Sequence, residues 1–226
     1  MSVWDWTYVW EAFPYLYRGA LVTIQATLIG FAIALVLGLV FALVRRSPNR
    51  LVSVAMAETV EFIRSTPLLL QVFFVYFVGP QFGIVIPAWI AGIGVLGIHY
   101  AAYCSEVYRA GIEAVEGGQW EACIALNLSR SRTWRAIILP QAIPPVVPAL
   151  GNYFIGMFKD TSLVYIIGMF DLLGIVRLNF SDSTWASAQT PATGLIFAGF
   201  VFWIFCFGMS RYSMYMERRL DTGHRR

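Results

Sequence analysis

A chain of 226 residues that is 58% hydrophobic, 16% aromatic and only 13% charged, with a net charge of +3, falls well below the charged share of an ordinary soluble domain, about 25%. A soluble core of this size would need polar faces along its helices, and several stretches have none. The small positive excess requires no nucleic acid, and Cys104, Cys123 and Cys206 form no spaced pair, which argues against a disulfide framework or a zinc site.

Residues 19–44 carry no charge and lie between Arg18 and Arg45-Arg46. Roughly 20 apolar residues cross a bilayer as a helix, so they read as a first span, too long and without the basic leader of a cleaved signal. The next charge-free stretch, 65–105, is too long for one span. GPQFG at 79–83 divides it with turn residues, which predicts spans at 53–78 and 84–110. The proline cluster LPQAIPPVVP at 139–148 is hostile to a helix interior, so the fourth span is expected at 148–170. A fifth covers 191–214. The expected fold is an all-α integral membrane protein, one transmembrane domain over residues 1–226, since lipid permits only helices or closed barrels.

Orientation follows from the arginines. Of 16 Lys and Arg, all but Arg18, Arg177 and Lys159 fall on one side of five such spans. Positive residues stay in the cytoplasm, which puts the amino terminus outside, the carboxy terminus inside and the segment 111–145 in the cytoplasm. Trp4, Trp6, Tyr8 and Trp10 suggest an interfacial segment on the outer surface. Gly30, Gly38 and AGIGVLG at 91–97 are small residues of the kind that let helices approach closely in lipid.

Within 111–145, Val115, Ala122, Cys123 and Leu126 fall at i, i+7, i+8 and i+11, one face of a helix. SRTWRAIIL is expected to form a second helical piece that stops at Pro140. Asn127 lies between the two, a residue that accepts left-handed geometry. An amphipathic loop lying on the membrane surface accounts equally well for the periodicity.

Ionisable residues inside a span are costly and mark function. Lys159 and Asp160 lie near the middle of the expected fourth span, where Asp160 would meet a cationic group of a solute and Lys159 a carboxylate. Neutralisation by neighbouring spans is the structural alternative. His99, Tyr103 and Glu106 form a stripe at i, i+4 and i+7, although a lone histidine more often packs than binds. Tyr76, Phe154 and Phe158 add aromatic surface, and Asn152 joins the candidates for a solute path. No GxSxG, HExxH or Gly-rich loop ending in GK[ST] occurs, and His99 and His224 stand far apart. No enzyme, metal or ATP-binding signature is present.

The insert resembles the cytoplasmic loop of the membrane subunits of ATP-binding-cassette (ABC) importers, which reads E-A-A, three residues, G, nine residues, I, any residue, L, P. Glu121, Ala122, Cys123, Asn127, Ile137, Leu139 and Pro140 stand at those spacings, with Cys123 in place of Ala and Asn127 in place of Gly. RSTPLLLQVFFVYF at 64–77, EVYRAGIEAV at 106–115 and FKDTSLVYIIG at 158–168 are similar to the polar-amino-acid subgroup of these permeases. GIHYAAYCSEVYRAGIEAVEGGQWEACIALNL and LPQAIPPVVPALGNYF most resemble permeases for ectoine and hydroxyectoine.

The resemblance implies a permease subunit in a bacterial inner membrane, with no enzymatic activity and no cofactor of its own. Its solute would be ectoine or hydroxyectoine, or alternatively a polar amino acid of the glutamate, glutamine, arginine or histidine type. The implied partners are a second permease subunit (a related chain or a second copy), two cytoplasmic ATPases that bind ATP and Mg, and a substrate-binding protein outside. The loop would form a coupling helix seated in a groove of the ATPase, with Glu121 at the rim and Ala122, Cys123 and Leu126 packed inside. The KDTSL segment would lie close to the path. An ion-coupled carrier, the remaining alternative, should show inverted repeats and broken helices at matching positions, and neither is visible in the sequence.

Overall fold

The structure is a computed structural model that describes residues 6–181 and 190–221. Among the described residues every regular element is helical. Four helical runs are long and apolar enough to cross a membrane: Trp6–Arg45, Ala88–Glu113, Arg130–Leu178 and Ala192–Leu220. A bent pair, Arg50–Ser65 with Leu68–Phe82, makes a fifth if it is taken as one span.

Helix α1 (Trp6–Arg45) begins well before residue 19. Its first turns are amphipathic: Tyr8, Val9, Ala12 and Leu16 are buried against Leu172, Val176 and Ala198. Tyr8 therefore packs inward, while Trp6 and Trp10 remain exposed; Trp4 lies outside the described residues. The rest of α1 presents a buried stripe of small residues, including Gly19, Ala26, Gly30, Ala34 and Gly38. Apolar burial between helices gains little in lipid, so close approach and dispersion must hold them. A Cβ on Gly38 would stand 2.7 Å from Cβ of Cys104 and 2.9 Å from the Ala101 carbonyl oxygen.

The contacts of Gly30 with Ile93, of Gly38 with Cys104 and of Arg45 with Glu106 advance together along α1 and α4 (Ala88–Glu113). The two helices therefore run parallel, and one return crossing must separate them. The polypeptide returns through α2 (Arg50–Ser65) and α3 (Leu68–Phe73), which continues as a π-turn over Phe74–Val78 and a 3₁₀ turn over Gly79–Phe82. This region corrects the expected single span 53–78. The helix breaks at Thr66–Pro67 and bends by 103°. Thr66 is extended, with φ −104° and ψ 140°, as steric clash with a following proline ring demands.

Helix α5 (Gly117–Ala125) and the single turn α6 (Arg130–Arg132) form the insert. A π-turn, Thr133–Ile138, then runs directly into α7 (Leu139–Asp160). The expected stop at Pro140 and the expected span 148–170 are both corrected. The Leu139 amide donates to the Trp134 carbonyl five residues back, so the widened turn carries the helix up to Pro140, and Pro144, Pro145 and Pro148 lie inside α7. The helix ends at Asp160. A 3₁₀ segment, Thr161–Ile167, follows and closes at Gly168 with φ 88°. Lys159 and Asp160 thus occupy the last turn of α7 rather than the middle of a helix.

Helix α8 (Leu172–Ser181) is an element that the hydropathy pattern did not separate. Its first amide donates to Oγ1 of buried Thr23 on α1 at 3.2 Å. Helix α9 (Thr190–Asp221) runs past the expected end at 214. Gly111 against Ala142 and Val146, Ser213 against Pro148, and Arg46 over Trp134 bring the last turns of α1, α4 and α9 and the start of α7 to one end of the bundle. Arg45, Arg46, Arg109, Arg130, Arg132 and Arg135 share that end with the insert.

Candidate functional site

Two clusters have functional chemistry, one inside the bundle and one in the insert. The first grows from the broken helix. Pro67 has no amide to offer the Ile63 carbonyl four residues back. Gln71 Nε2 donates to that carbonyl at 2.7 Å, and to the Thr66 carbonyl and hydroxyl at 3.2 and 2.7 Å. Gln71 Oε1 lies 3.1 Å from Nδ1 of the buried His99. An amide oxygen only accepts, so with this amide orientation the hydrogen sits on Nδ1. His99 is therefore a satisfied partner of the staple that holds the break.

Beyond it on α4, the Tyr100 hydroxyl donates to Asp160 Oδ2 at 2.7 Å and ties α4 to the end of α7. Tyr100, Tyr103 and Tyr153 form a continuous aromatic wall, with ring centroids 6.2 Å apart for Tyr100–Tyr103 and 5.3 Å apart for Tyr103–Tyr153. The Tyr103 hydroxyl donates to the Arg64 carbonyl at 3.3 Å. A half-buried carboxylate tied to one ring of this aromatic wall suits a small solute with a cationic group. Towards the insert end, Glu106 is bound by both Arg45 and Arg109, so α1 and α4 are joined by an ion-pair network rather than left open there.

The structure brings His99, Tyr103 and Asp160 together and separates the other path candidates from them. Phe158 is buried against Phe202 and Phe205 of α9, at 5.4 and 5.6 Å between centroids. Asn152 accepts from the Ser213 hydroxyl at 3.5 Å. Lys159 is exposed and lines a cavity of about 460 Å³ with Leu195, Phe202, Trp203 and Cys206. The turn of about 100° per residue in a helix sends Asp160 to α4 and its two predecessors to α9, so Lys159 and Asp160 cannot both grip one solute in this arrangement. Phe154 packs on Phe31 of α1.

Gln71, Tyr100 and Tyr153 were absent from the sequence-derived candidates. Pro67 inside an apparent span was the usable signal for Gln71, because a break in lipid needs a side chain to satisfy its carbonyl. Among the described residues no three His, Cys, Asp or Glu side chains stand together as a metal site would require.

The insert has its own small core. Val115, Ile138 and Ala142 are buried there, with Ile112, Trp120, Trp134 and Ile137 packed on them. The Trp120 and Trp134 rings meet edge-to-face at 5.4 Å, and the Arg46 guanidinium lies 5.4 Å over Trp134. Gln141 donates to Gln119 at 3.3 Å, linking α7 to α5. At the end of α5 the Leu128 amide donates to the Cys123 carbonyl at 3.0 Å and the Asn127 amide to the Ile124 carbonyl at 2.9 Å. This is a Schellman turn, with Asn127 at φ 48° as its left-handed residue.

The turn fixes which residues face out. Glu121, Ala122, Ile124, Leu126 and Asn127 are exposed, Ile124 at 79% and Leu126 at 71%. Cys123 is buried, at 3%. This corrects the expected outward face at Cys123 alone: Ala122 and Leu126 face out, while Cys123, like Val115 ahead of the start of α5 at Gly117, turns inward. Ile138 is buried, Ile137 is half-buried, and Leu139 and Pro140 are exposed at the start of α7.

The described geometry has close counterparts. Residues 12–222 match the family model of the binding-protein-dependent transport system inner membrane component. A probable amino-acid ABC transporter permease, y4tG of Sinorhizobium fredii, is 47% identical over 165 residues, covering 73% of this chain and 71% of that protein. The inner membrane amino-acid ABC transporter permease YhdY of Escherichia coli K12 is 40% identical over 91% of this chain, which spans 56% of YhdY. A crystal structure of an amino acid ABC transporter with histidines superposes with a TM-score of 0.88 at 33% identity, covering 97% of this chain and all of that one. The chain belongs to the binding-protein-dependent transport system inner membrane components, and is a permease subunit of an ABC importer and a multi-pass protein of the bacterial inner membrane.

Proposed function

We propose that this subunit forms part of the path for a polar amino acid, one of two permease subunits driven by two cytoplasmic ATPases and fed by an external binding protein. The observation that carries the solute class is the half-buried Asp160 carboxylate, held by Tyr100 and walled by Tyr103 and Tyr153. An α-ammonium or a cationic side chain fits that setting. The relatives named above are amino-acid permeases by description, and they lend no support to ectoine, so the amino-acid reading takes precedence. The α2–α3 pair is broken by 103°, a single break rather than a pair at matching positions of two repeats; family membership is what assigns the energy source to ATP.

The arginine-rich end bearing the insert is the cytoplasmic end on the positive-inside rule, which sets the amino terminus outside and the carboxy terminus inside. There α5 offers the apolar pair Ile124 and Leu126 beside Glu121 to the ATPase. Its small core transmits a rigid-body displacement that a loose loop would absorb. Reconstituted in proteoliposomes with its partners, the permease is expected to accumulate one or more of L-glutamate, L-glutamine, L-arginine and L-histidine, with ATP in the compartment facing the insert and no ion gradient. Uptake of ectoine alone overturns the amino-acid reading. Uptake that appears only when an ion gradient is imposed, whatever the ATP supply, overturns the ATP-driven one. Ile124→Asp is expected to release the ATPase in a pull-down.

A further inference from the structure

We infer that Arg64 is the carboxylate-binding residue of the path, taking the free α-carboxylate of a zwitterionic amino acid whose ammonium lies at Asp160. The inference rests on the proposal that Asp160 faces the solute. Arg64 stands in the last turn of α2, immediately before the break. Its guanidinium lies over the Tyr103 ring, 5.4 Å from the centroid, on the same aromatic wall that leads to Tyr100 and Asp160.

Both of its acidic neighbours approach one nitrogen. Glu61 reaches Nη1 at 3.3 Å, and Glu106 lies 3.9 Å from the same atom, beyond hydrogen-bond range and already bound by Arg45 and Arg109. Nε is buried and has no acceptor among the described residues. A guanidinium receives a carboxylate side-on through the two parallel donors of its Nε–Nη2 edge. Of that edge, Nε is left without an acceptor among the described residues.

The two charged groups are attached to neighbouring rings of one wall. Tyr100, which marks Asp160, and Tyr103, which marks Arg64, are three residues apart on α4, an axial rise of about 4.5 Å. Their ring centroids are 6.2 Å apart. An α-amino acid carries its two charges a few ångström apart and adds a hydrogen bond of about 2.9 Å at each end. The class selected is therefore a free α-amino acid with both charges intact, while side-chain identity is left to other walls. Arg64 replaces Lys159, which lies on the α9 side, as the group that meets the carboxylate.

The test is titration of the permease–ATPase complex, without its binding protein, with L-glutamate, L-glutamine, L-arginine and L-histidine and with the α-carboxamide of each. The native complex is expected to bind at least one acid about tenfold or more tightly than its amide. Arg64→Gln should bring that ratio close to one while leaving amide affinity unchanged, and Arg64→Lys should restore part of it. A ratio unchanged by Arg64→Gln overturns the inference while leaving the amino-acid path standing. Binding of none of the four acids sinks the amino-acid path itself. Should Arg64→Gln fail to assemble, the native complex decides alone, since equal affinity for acid and amide overturns the role.

Discussion

Trp134→Ala tests whether the insert transmits force as a rigid unit. A fully buried Trp→Ala change costs about 3–5 kcal/mol, and Trp134 is half-buried, which scales the cost to about 2 kcal/mol. About 1 kcal/mol of that belongs to the edge-to-face pair with Trp120 at 5.4 Å, and about 0.5–1 kcal/mol to Arg46 over the ring. At 1.4 kcal/mol per factor of ten, the amides of α5 should exchange roughly 30-fold faster in the assembled transporter. Trp120→Ala should do the same, and the double variant should fall short of additivity by about 1 kcal/mol, the share that the two rings hold in common. The ATPase should remain bound, through Ile124 and Leu126, while solute moved per ATP hydrolysed falls. Unchanged protection of α5 in Trp134→Ala, or strict additivity of the two substitutions, refutes the rigid-insert argument. Loss of protection without any fall in solute moved per ATP refutes its link to transport.

Three further outcomes follow from single residues. Asn127, at φ 48°, should accept Gly with a gain of several tenths of a kcal/mol or more, whereas Asn127→Val should cost about 1–2 kcal/mol, read as opposite shifts in the melting temperature of the complex. Asp160→Asn should reduce amino-acid uptake at least about tenfold by removing a charge-assisted contact, and Lys159→Gln should change it less than about threefold; equal losses would show that both side chains serve the path. Gln71→Leu strips partners from the Ile63 carbonyl and from His99 Nδ1. The Ile63 carbonyl keeps the Thr66 hydroxyl at 3.2 Å, so the cost is about 1–3 kcal/mol for the stranded His99 Nδ1 hydrogen; the thermal stability of the complex should fall measurably, and His99→Leu added to it should recover part of the loss.

Much of the bundle was legible because lipid leaves few options. Charge-free runs had to be helices, and the small residues of α1 and α4 announced close packing that Gly38 and Cys104 display. Asn127 was legible for a local reason, since few residue types take a left-handed angle between two helical pieces. The inward turn of Cys123 on α5 was not. The phase of α5 depends on where the helix starts, and Gly117-Gly118 carries no apolar marker of that start. Nor could spacing say which of Phe158, Lys159 and Asp160 faces α4, because both sides of α7 are covered by other helices, α4 on one and α9 on the other.

The prolines show why helix limits were the weakest part of the reading. The same loss of an amide produced three different results. At Pro67 the chain breaks, and a side chain, Gln71, takes the stranded carbonyl. Before Pro80 and before Pro140 the helix widens into a π-turn, closed by the Gly79 amide on Phe74 and the Leu139 amide on Trp134, so that bonding has already shifted to the fifth residue back when the proline arrives. At Pro144, Pro145 and Pro148 the helix continues, as packed membrane helices permit. A rule that treats proline as a stop captures only the first result. What decides among them is which group satisfies the freed carbonyl, and in the first case that group also positions His99 beside the proposed path. The break in α2–α3 and the polar site are therefore one structure, and a substitution that heals the break would dismantle the wall on which the solute is proposed to rest.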